Sequence, residues 1–71
     1  MTQLERQEIA IKEVANYTNG DVTSVKFNET QNFFKIRVEI KTRNGNLLAT
    51  PRVLFYNVRV EENGFAHILA N

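Results

Sequence analysis

The strongest constraint on the fold is an alternating pattern of apolar and charged residues between Phe33 and Arg43. Successive side chains of a β-strand point to opposite faces of a sheet, so this period of two predicts a strand with one buried face. We interpret the segment as the central strand of an antiparallel sheet. The apolar positions are Phe34, Ile36, Val38 and Ile40, and the charged positions between and after them are Lys35, Arg37, Glu39 and Lys41.

Length and composition limit the classes of protein to which the chain can belong. Its 71 residues are expected to form a single domain, residues 1–71, which buries only about 60% of the surface that the unfolded chain exposes. The absence of cysteine excludes disulfides and thiolate zinc sites. Oligomerisation is therefore the remaining way to reinforce so small a fold.

Charge and hydropathy bear on partners and compartment. A net charge of +1 is far from the strongly basic balance of a dedicated nucleic-acid binder. Apolar runs such as Val53–Tyr56 are too short to span a bilayer, and the polar N-terminus does not resemble a signal peptide. We therefore predict a cytoplasmic protein without membrane partners, and its nine asparagines are in keeping with an AT-rich microbial or phage genome.

The N-terminal segment is predicted to be a helix over about residues 3–17. Thr2 and Glu5 have the spacing of a capping box, in which a hydroxyl and a carboxylate bind backbone N–H groups at a helix start. Ile9 lies beside the apolar stripe and is expected to be exposed or part of a second contact surface. The predicted stripe consists of Leu4, Ile11, Val14 and Ala15, flanked by Ala10 and Tyr17.

Alternation recurs on both sides of the central strand. Asp21–Asn28 is predicted to be the first strand and Val53–Glu61 the third. Between them, the dipeptide Asn44-Gly45 readily forms the type I′ turn of a tight hairpin. Because Pro51 cannot donate a ladder hydrogen bond, residues 47–50 are predicted to form a short edge or a loop.

The closing strand, Phe65–Ala70, has two possible registers. A two-residue turn would place Phe65, His67 and Leu69 beside the apolar face of the third strand, whereas one extra turn residue would place Ala66 and Ile68 there. We favour the second register because it keeps His67 out of the core.

These elements predict an α+β fold in which one N-terminal helix packs on a four-stranded antiparallel meander. A helix of about fifteen residues is only about 22 Å long and covers one face of such a sheet. The other face carries Val53 and Phe55 among charged residues, and we expect it to be exposed or paired with another subunit.

Few side chains could support catalysis. Ser24 lacks the Gly-x-Ser-x-Gly elbow and falls within a strand, so we do not predict a triad with His67. Glu61 and Glu62 could bind a hard cation only with oxygen donors from elsewhere in the chain, and they are expected to form a solvated hairpin tip. We predict no enzymatic activity, no metal and no cofactor.

The uncovered sheet face supports three interpretations. Cations beside an aromatic ring on strands could bind single-stranded nucleic acid, although Glu39 interrupts the row. A charged face that limits aggregation is a simpler interpretation, and a protein interface is the third. The candidate nucleic-acid residues are Lys35, Arg37, Lys41, Arg43 and Arg59, and Lys26 could share their face. The candidate protein-interface residues, expected to be more exposed than a monomer favours, are Val53, Phe55, Phe33 and Ile9.

Three segments in order resemble a known family: Val22–Val25, the alternating strand Phe34–Ile40, and the hairpin Tyr56–Gly64. Over residues 9–66 the chain is similar to gas vesicle protein O, which has a Val-Thr-Ser-Val-like strand, a Trp-led strand and a Tyr-x-Val-x-Val-Asp-x-x-Gly hairpin. Phe34 stands where the family has Trp. Residues 67–71 stand where the family continues into an arginine- and tyrosine-rich tail. The outline is also similar to cystatin-like and PepSY-like modules.

The resemblance implies an accessory role in a protein assembly, without catalysis. We therefore predict a small protein-interaction module that self-associates as a homodimer and binds an unidentified protein. The alternative is a small nucleic-acid-binding protein that uses the basic sheet face.

Overall fold

A computed structural model describes residues 1–69 as one helix and four strands. The strands form one antiparallel sheet in the order β1-β2-β3-β4. The predicted α+β fold, with a helix packed on a four-stranded antiparallel sheet, is therefore confirmed. Ala70, which we assigned to the last strand, lies outside the described residues. The elements are α1 (Gln3–Thr18), β1 (Asp21–Asn28), β2 (Phe33–Arg43), β3 (Asn46–Val60) and β4 (Ala66–Leu69).

Helix α1 begins with the predicted capping box. The Thr2 backbone N donates to a Glu5 carboxylate oxygen at 3.0 Å, and the Glu5 backbone N donates to the Thr2 hydroxyl at 3.1 Å. The hydrogen bonds from the Thr2 backbone and hydroxyl hold the pKa of the Glu5 carboxyl below its ordinary value of 4.5. The backbone N–H groups of Thr2 and Glu5 are thereby satisfied, as the spacing of the capping box predicts.

The helix ends at Asn19, which adopts the left-handed conformation with φ of 55°. The neighbouring Gly20 is required for a different reason. A Cβ atom on Gly20 would lie 2.6 Å from Cγ1 of Val38, so the chain can approach β2 this closely only without a side chain.

The core lies between α1 and one face of the sheet. Leu4, predicted to be buried, is 63% exposed, because the helix contacts the sheet along the line of Ala10 and Val14. This rotation turns Ile9 towards the sheet, where it is half-buried and packs against the core, so the expected exposure of Ile9 is wrong. The buried apolar residues are Ala10, Val14, Phe34, Ile36, Val38, Val58 and Val60.

Strand β3 is longer than predicted, because it starts at Asn46 and continues through Pro51. The register of β2 with β3 shifts between Ile40 and Thr42, so Pro51 lies at an irregular part of the ladder, where a missing N–H is tolerated. The turn before it has positive φ at Asn44 and Gly45, as a type I′ hairpin requires.

The β2–β3 hairpin extends beyond the helix. Except for Leu48, residues 41–53 are exposed, and the molecule measures 39 Å along its longest axis against 20 Å along the other two. We call residues 41–52 the outer arm. At the opposite end of the sheet, Ile68 pairs with Val58 and Ala66 with Val60, which confirms the favoured register of the closing strand.

Candidate functional site

The second face of the sheet is the candidate site, and we call it the open face. The one helix packs on the side of Phe34, Ile36 and Val38, and no other element in residues 1–69 covers the opposite side. Residues of the open face alternate with core residues along each strand. They include Ser24, Lys26, Phe33, Lys35, Arg37, Glu39, Val53, Phe55, Asn57, Arg59 and His67.

Strand pairing arranges the middle of the open face in three rows that cross β1, β2 and β3. The lysine row contains Lys26, Lys35 and Asn57. The central row contains Ser24, Arg37 and Phe55. The acidic row contains Asp21, Glu39 and Val53. Positive charges thus lie on one side of the central row and negative charges on the other.

Apolar side chains remain exposed within these rows. Phe55 is 46% exposed and Val53 39% exposed, on a stretch of β3 that pairs with β2, whereas among the described residues β4 pairs with β3 only at Asn57–Val60. The Lys35 ammonium lies 5.2 Å from the centroid of the Phe55 ring, within range of a cation–π interaction. These two residues and Phe33 contribute to an open groove of about 680 Å³. The other residues that line it are Lys26, Phe27, Asn28, Glu29 and Asn57.

Arg37 is held in place by its own chain. Its Nη1 atom donates to the Thr23 hydroxyl at 2.7 Å and lies 3.7 Å from a Glu39 carboxylate oxygen. Thr23 lies where the register of β1 with β2 shifts between Val22 and Ser24, and its hydroxyl also donates to the Arg37 carbonyl at 3.3 Å. The guanidinium is therefore already paired when a ligand arrives.

The remaining predicted basic residues are dispersed. Arg59 donates to the carbonyl oxygens of Gln31 and Asn32, at 3.2 and 3.4 Å, and so braces the β1–β2 turn. Lys41 lies 4.0 Å from the Asp21 carboxylate, and Arg43 lies beside the turn at the end of the outer arm. Of the five residues predicted to bind nucleic acid, only Lys35 lines the groove.

The predicted protein-interface residues are only partly brought together. Val53 and Phe55 lie on the open face, and the half-buried Phe33 lies on it beside them in the groove. Ile9 lies on the helix, against the other face of the sheet. Asn57 was not among the candidate site residues, although its spacing of two from Phe55 places it on the same face. Lys26 emerges as a full member of the site because it pairs directly with Lys35.

The residues considered for catalysis do not meet. Ser24 lies on β1 and His67 on β4, so two strands separate them, a distance of about 14 Å at the usual strand spacing. The His67 ring contacts Phe65, and its Nε2 atom lies 3.8 Å from a Glu61 carboxylate oxygen. Among the described residues there is no cluster of three or more groups that could hold a metal ion. The one described helix is not long and apolar enough to cross a membrane.

No family model, curated protein or solved structure matches the chain. The resemblance to gas vesicle protein O therefore stays a prediction. The candidate site rests on the open face itself, which combines exposed apolar side chains with ordered rows of opposite charge.

Proposed function

We propose that this chain is a non-catalytic protein-binding module that self-associates and contacts its partners through the open face. One observation carries the proposal: Phe55 and Val53 lie two residues apart on the open face of β3 and are 46% and 39% exposed. Protein interfaces typically have an apolar centre and a polar rim. On the open face the charged residues Arg37 and Glu39 lie directly opposite Phe55 and Val53, so charge borders the exposed apolar pair along β2.

The small size of the chain favours the same role. A domain of 71 residues buries a limited core, and a second protein on the open face would add apolar contacts that the chain lacks. The resemblance to gas vesicle protein O points to an accessory part of a protein assembly, and we place that role in the cytoplasm. The partner beyond a second copy is a protein whose surface carries both apolar and charged groups.

The solution mass, measured by light scattering behind a sizing column, tests this proposal. We expect a wild-type dimer that Phe55→Glu converts to a monomer, because the new charge would be buried in the interface. Leu47→Glu is the matched control, since Leu47 is an apolar β3 residue that is 82% exposed on the outer arm. If Phe55→Glu keeps the mass of an assembled wild type, the open face is not the interface.

A second candidate function is binding of single-stranded nucleic acid in the groove. The observation that favours it is the direct pairing of Lys26 with Lys35 beside Phe33 and Phe55. Lysines could bind phosphates while the rings stack on bases. Fluorescence anisotropy with a short mixed-sequence oligonucleotide, at about 50 and about 200 mM salt, tests it. Salt-sensitive binding that is lost in a Lys26→Glu, Lys35→Glu variant would replace the protein-binding proposal.

A further inference from the structure

The charges of the open face form like-charge pairs within one copy. Lys26 lies directly opposite Lys35 in the lysine row, and Asp21 lies directly opposite Glu39 in the acidic row. Like charges opposite each other on neighbouring strands are unfavourable. An opposite charge supplied by a second molecule would reduce the repulsion within each pair.

The two rows are placed symmetrically about the central row. On β2, Lys35 and Glu39 each lie two residues from Arg37, and on β3 the same spacing separates Phe55 from its neighbours Asn57 and Val53. Two residues of a strand span about 7 Å, so the lysine row and the acidic row lie at equal distances on either side of the central row. A half-turn about the central row exchanges them.

We propose that two copies of the chain pack open face to open face about a two-fold axis that runs along the central row. This inference rests on the proposed function and specifies its self-association. The strands of the two copies then run antiparallel, in sheets about 10 Å apart. Lys26 and Lys35 of each copy face Asp21 and Glu39 of the other, so the same pairing of opposite charges occurs twice.

The centre of this arrangement is apolar at β3 and basic at β2. Phe55 lies on the axis and packs against Phe55 of the second copy, where both rings lose their exposure to water. The Arg37 side chains of the two copies approach each other there, and each keeps its own Thr23 and Glu39 contacts. The pairing is isologous, so it closes at two copies.

The charge pattern selects this axis over the other one available to two stacked sheets. A two-fold axis parallel to the strands would place β2 over β3, with Lys35 over Asn57 and Glu39 over Val53. Neither charge would then meet an opposite charge. Complementary potentials determine orientation at interfaces, so the charges of the open face favour the axis along the central row.

The contacts that these charges make within one copy leave them available. The Asp21 carboxylate lies 4.0 Å from Lys41 with its side chain 72% exposed, and the Glu39 carboxylate lies 3.7 Å from Arg37. The exposed Asp21–Lys41 pair contributes little to stability, whereas the Arg37–Glu39 pair is partly buried, with side chains 35% and 22% exposed. Asp21 can therefore accept a lysine of the second copy without giving up a strong internal contact, and Glu39 would accept one beside Arg37.

Reversal of charge in both rows tests the arrangement. One variant carries Lys26→Glu and Lys35→Glu, and the other carries Asp21→Lys and Glu39→Lys. We expect each variant alone to lose the dimer and elute at the monomer mass of 8.2 kDa, because like charges then face each other. We expect an equimolar mixture to recover twice that mass, since each of these two rows in the mixed dimer again faces a row of opposite charge.

Two further variants keep the test independent of folding. The single changes Lys26→Glu and Asp21→Lys alter exposed edge-strand side chains and leave Arg37 and Phe55 untouched, so circular dichroism should show a native fold for both. Each should weaken the dimer by a smaller factor than the paired changes, and mixing them should restore it.

The outcomes separate this inference from the proposed function. Dimer loss in each reversed variant with recovery on mixing supports both. If the reversed variants stay dimeric while Phe55→Glu is monomeric, the open face is the interface and the two-fold arrangement is wrong. If Phe55→Glu also stays dimeric, the proposed use of the face fails as well. A wild type that is monomeric at its highest soluble concentration, or that associates only with an oligonucleotide, overturns the dimer.

Discussion

Alternate residues of β2 belong to two surfaces with opposite requirements. Phe34 and Ile36 are buried under the helix, with at most 1% exposure, whereas Lys35 between them lies on the open face. The covered face determines whether the chain folds, and the open face determines what the folded chain contacts. Because the two sets interleave on the same strands, single substitutions can test stability and association separately.

The largest difference between the faces is expected at two adjacent phenylalanines. Phe34→Ala should lower the free energy of unfolding by about 3–5 kcal/mol, because it leaves a cavity under α1, and this is a large part of the stability of a small domain. Phe33→Ala, on the open face and half-buried, should cost much less. Urea unfolding followed by circular dichroism measures both, and equal losses would contradict the division into two faces.

The next largest loss of stability is expected where the end of the helix lies against β2. Gly20→Ala should destabilise the fold by about 1–3 kcal/mol, because its Cβ would press on the Val38 side chain. Gly45→Asn is the control. No atom lies within 4 Å of its Cβ position, and asparagine is among the side chains best tolerated at its φ of 80°, so its melting temperature should fall less than that of Gly20→Ala. If Gly20→Ala unfolds at the wild-type temperature, the end of the helix does not lie as close to Val38 of β2 as described.

The cap of the covering helix is expected to contribute less than the core. Thr2→Ala should cost about 1 kcal/mol, because the Glu5 backbone N–H loses its acceptor. Gln3→Ala, one residue further on, keeps the cap and should be close to neutral. Thermal unfolding distinguishes the two variants.

The cap also predicts a pH dependence. Since the pKa of Glu5 is lowered in the folded chain, its contribution is fully present above the ordinary value of 4.5 and is lost as the pH falls through the folded pKa. The difference in melting temperature between wild type and Glu5→Gln should therefore shrink as the pH falls below 4.5. A constant difference would show that the carboxylate does not act through its charge.

The smallest effect on stability is expected on the open face. Phe55→Ser should change the free energy of unfolding by no more than about 0.5 kcal/mol in the monomer, because the residue is almost half exposed. Its effect on association should be large. A Phe55→Ser variant that unfolds as easily as Phe34→Ala would place Phe55 in the core and contradict the comparison.

Local patterns predicted much of the fold and some of the site. The capping box of Thr2 and the period of two in β2 follow from neighbouring residues alone, and the position of His67 on the open face followed from the preference to keep its ring out of the core. The exposure of Val53 and Phe55 followed from the same periodicity. These features depend on sequence spacing, which is visible without coordinates.

Features that depend on contacts between elements could not be predicted. Leu4 and Ala10 both fit an apolar helix face, and only the packing of the helix on the sheet leaves Leu4 exposed and Ala10 buried. Asp21 meets Glu39 only because one extra residue, Thr23, shifts the register in β1. Pro51 remains in a strand because the ladder is irregular there. A bulge leaves a residue out of the ladder between two strands, so it depends on pairing that the spacing along one strand does not reveal.

The outer arm gives the two longest strands a graded resistance to opening. Near Ile36 their backbone hydrogen bonds lie under the helix, and near Thr42 the same ladder lies among exposed residues of a two-stranded hairpin. Amide protons of the arm should therefore exchange with solvent through local openings, while those under the helix should exchange only when the whole chain unfolds. One continuous hairpin thus contains both long-lived and short-lived hydrogen bonds.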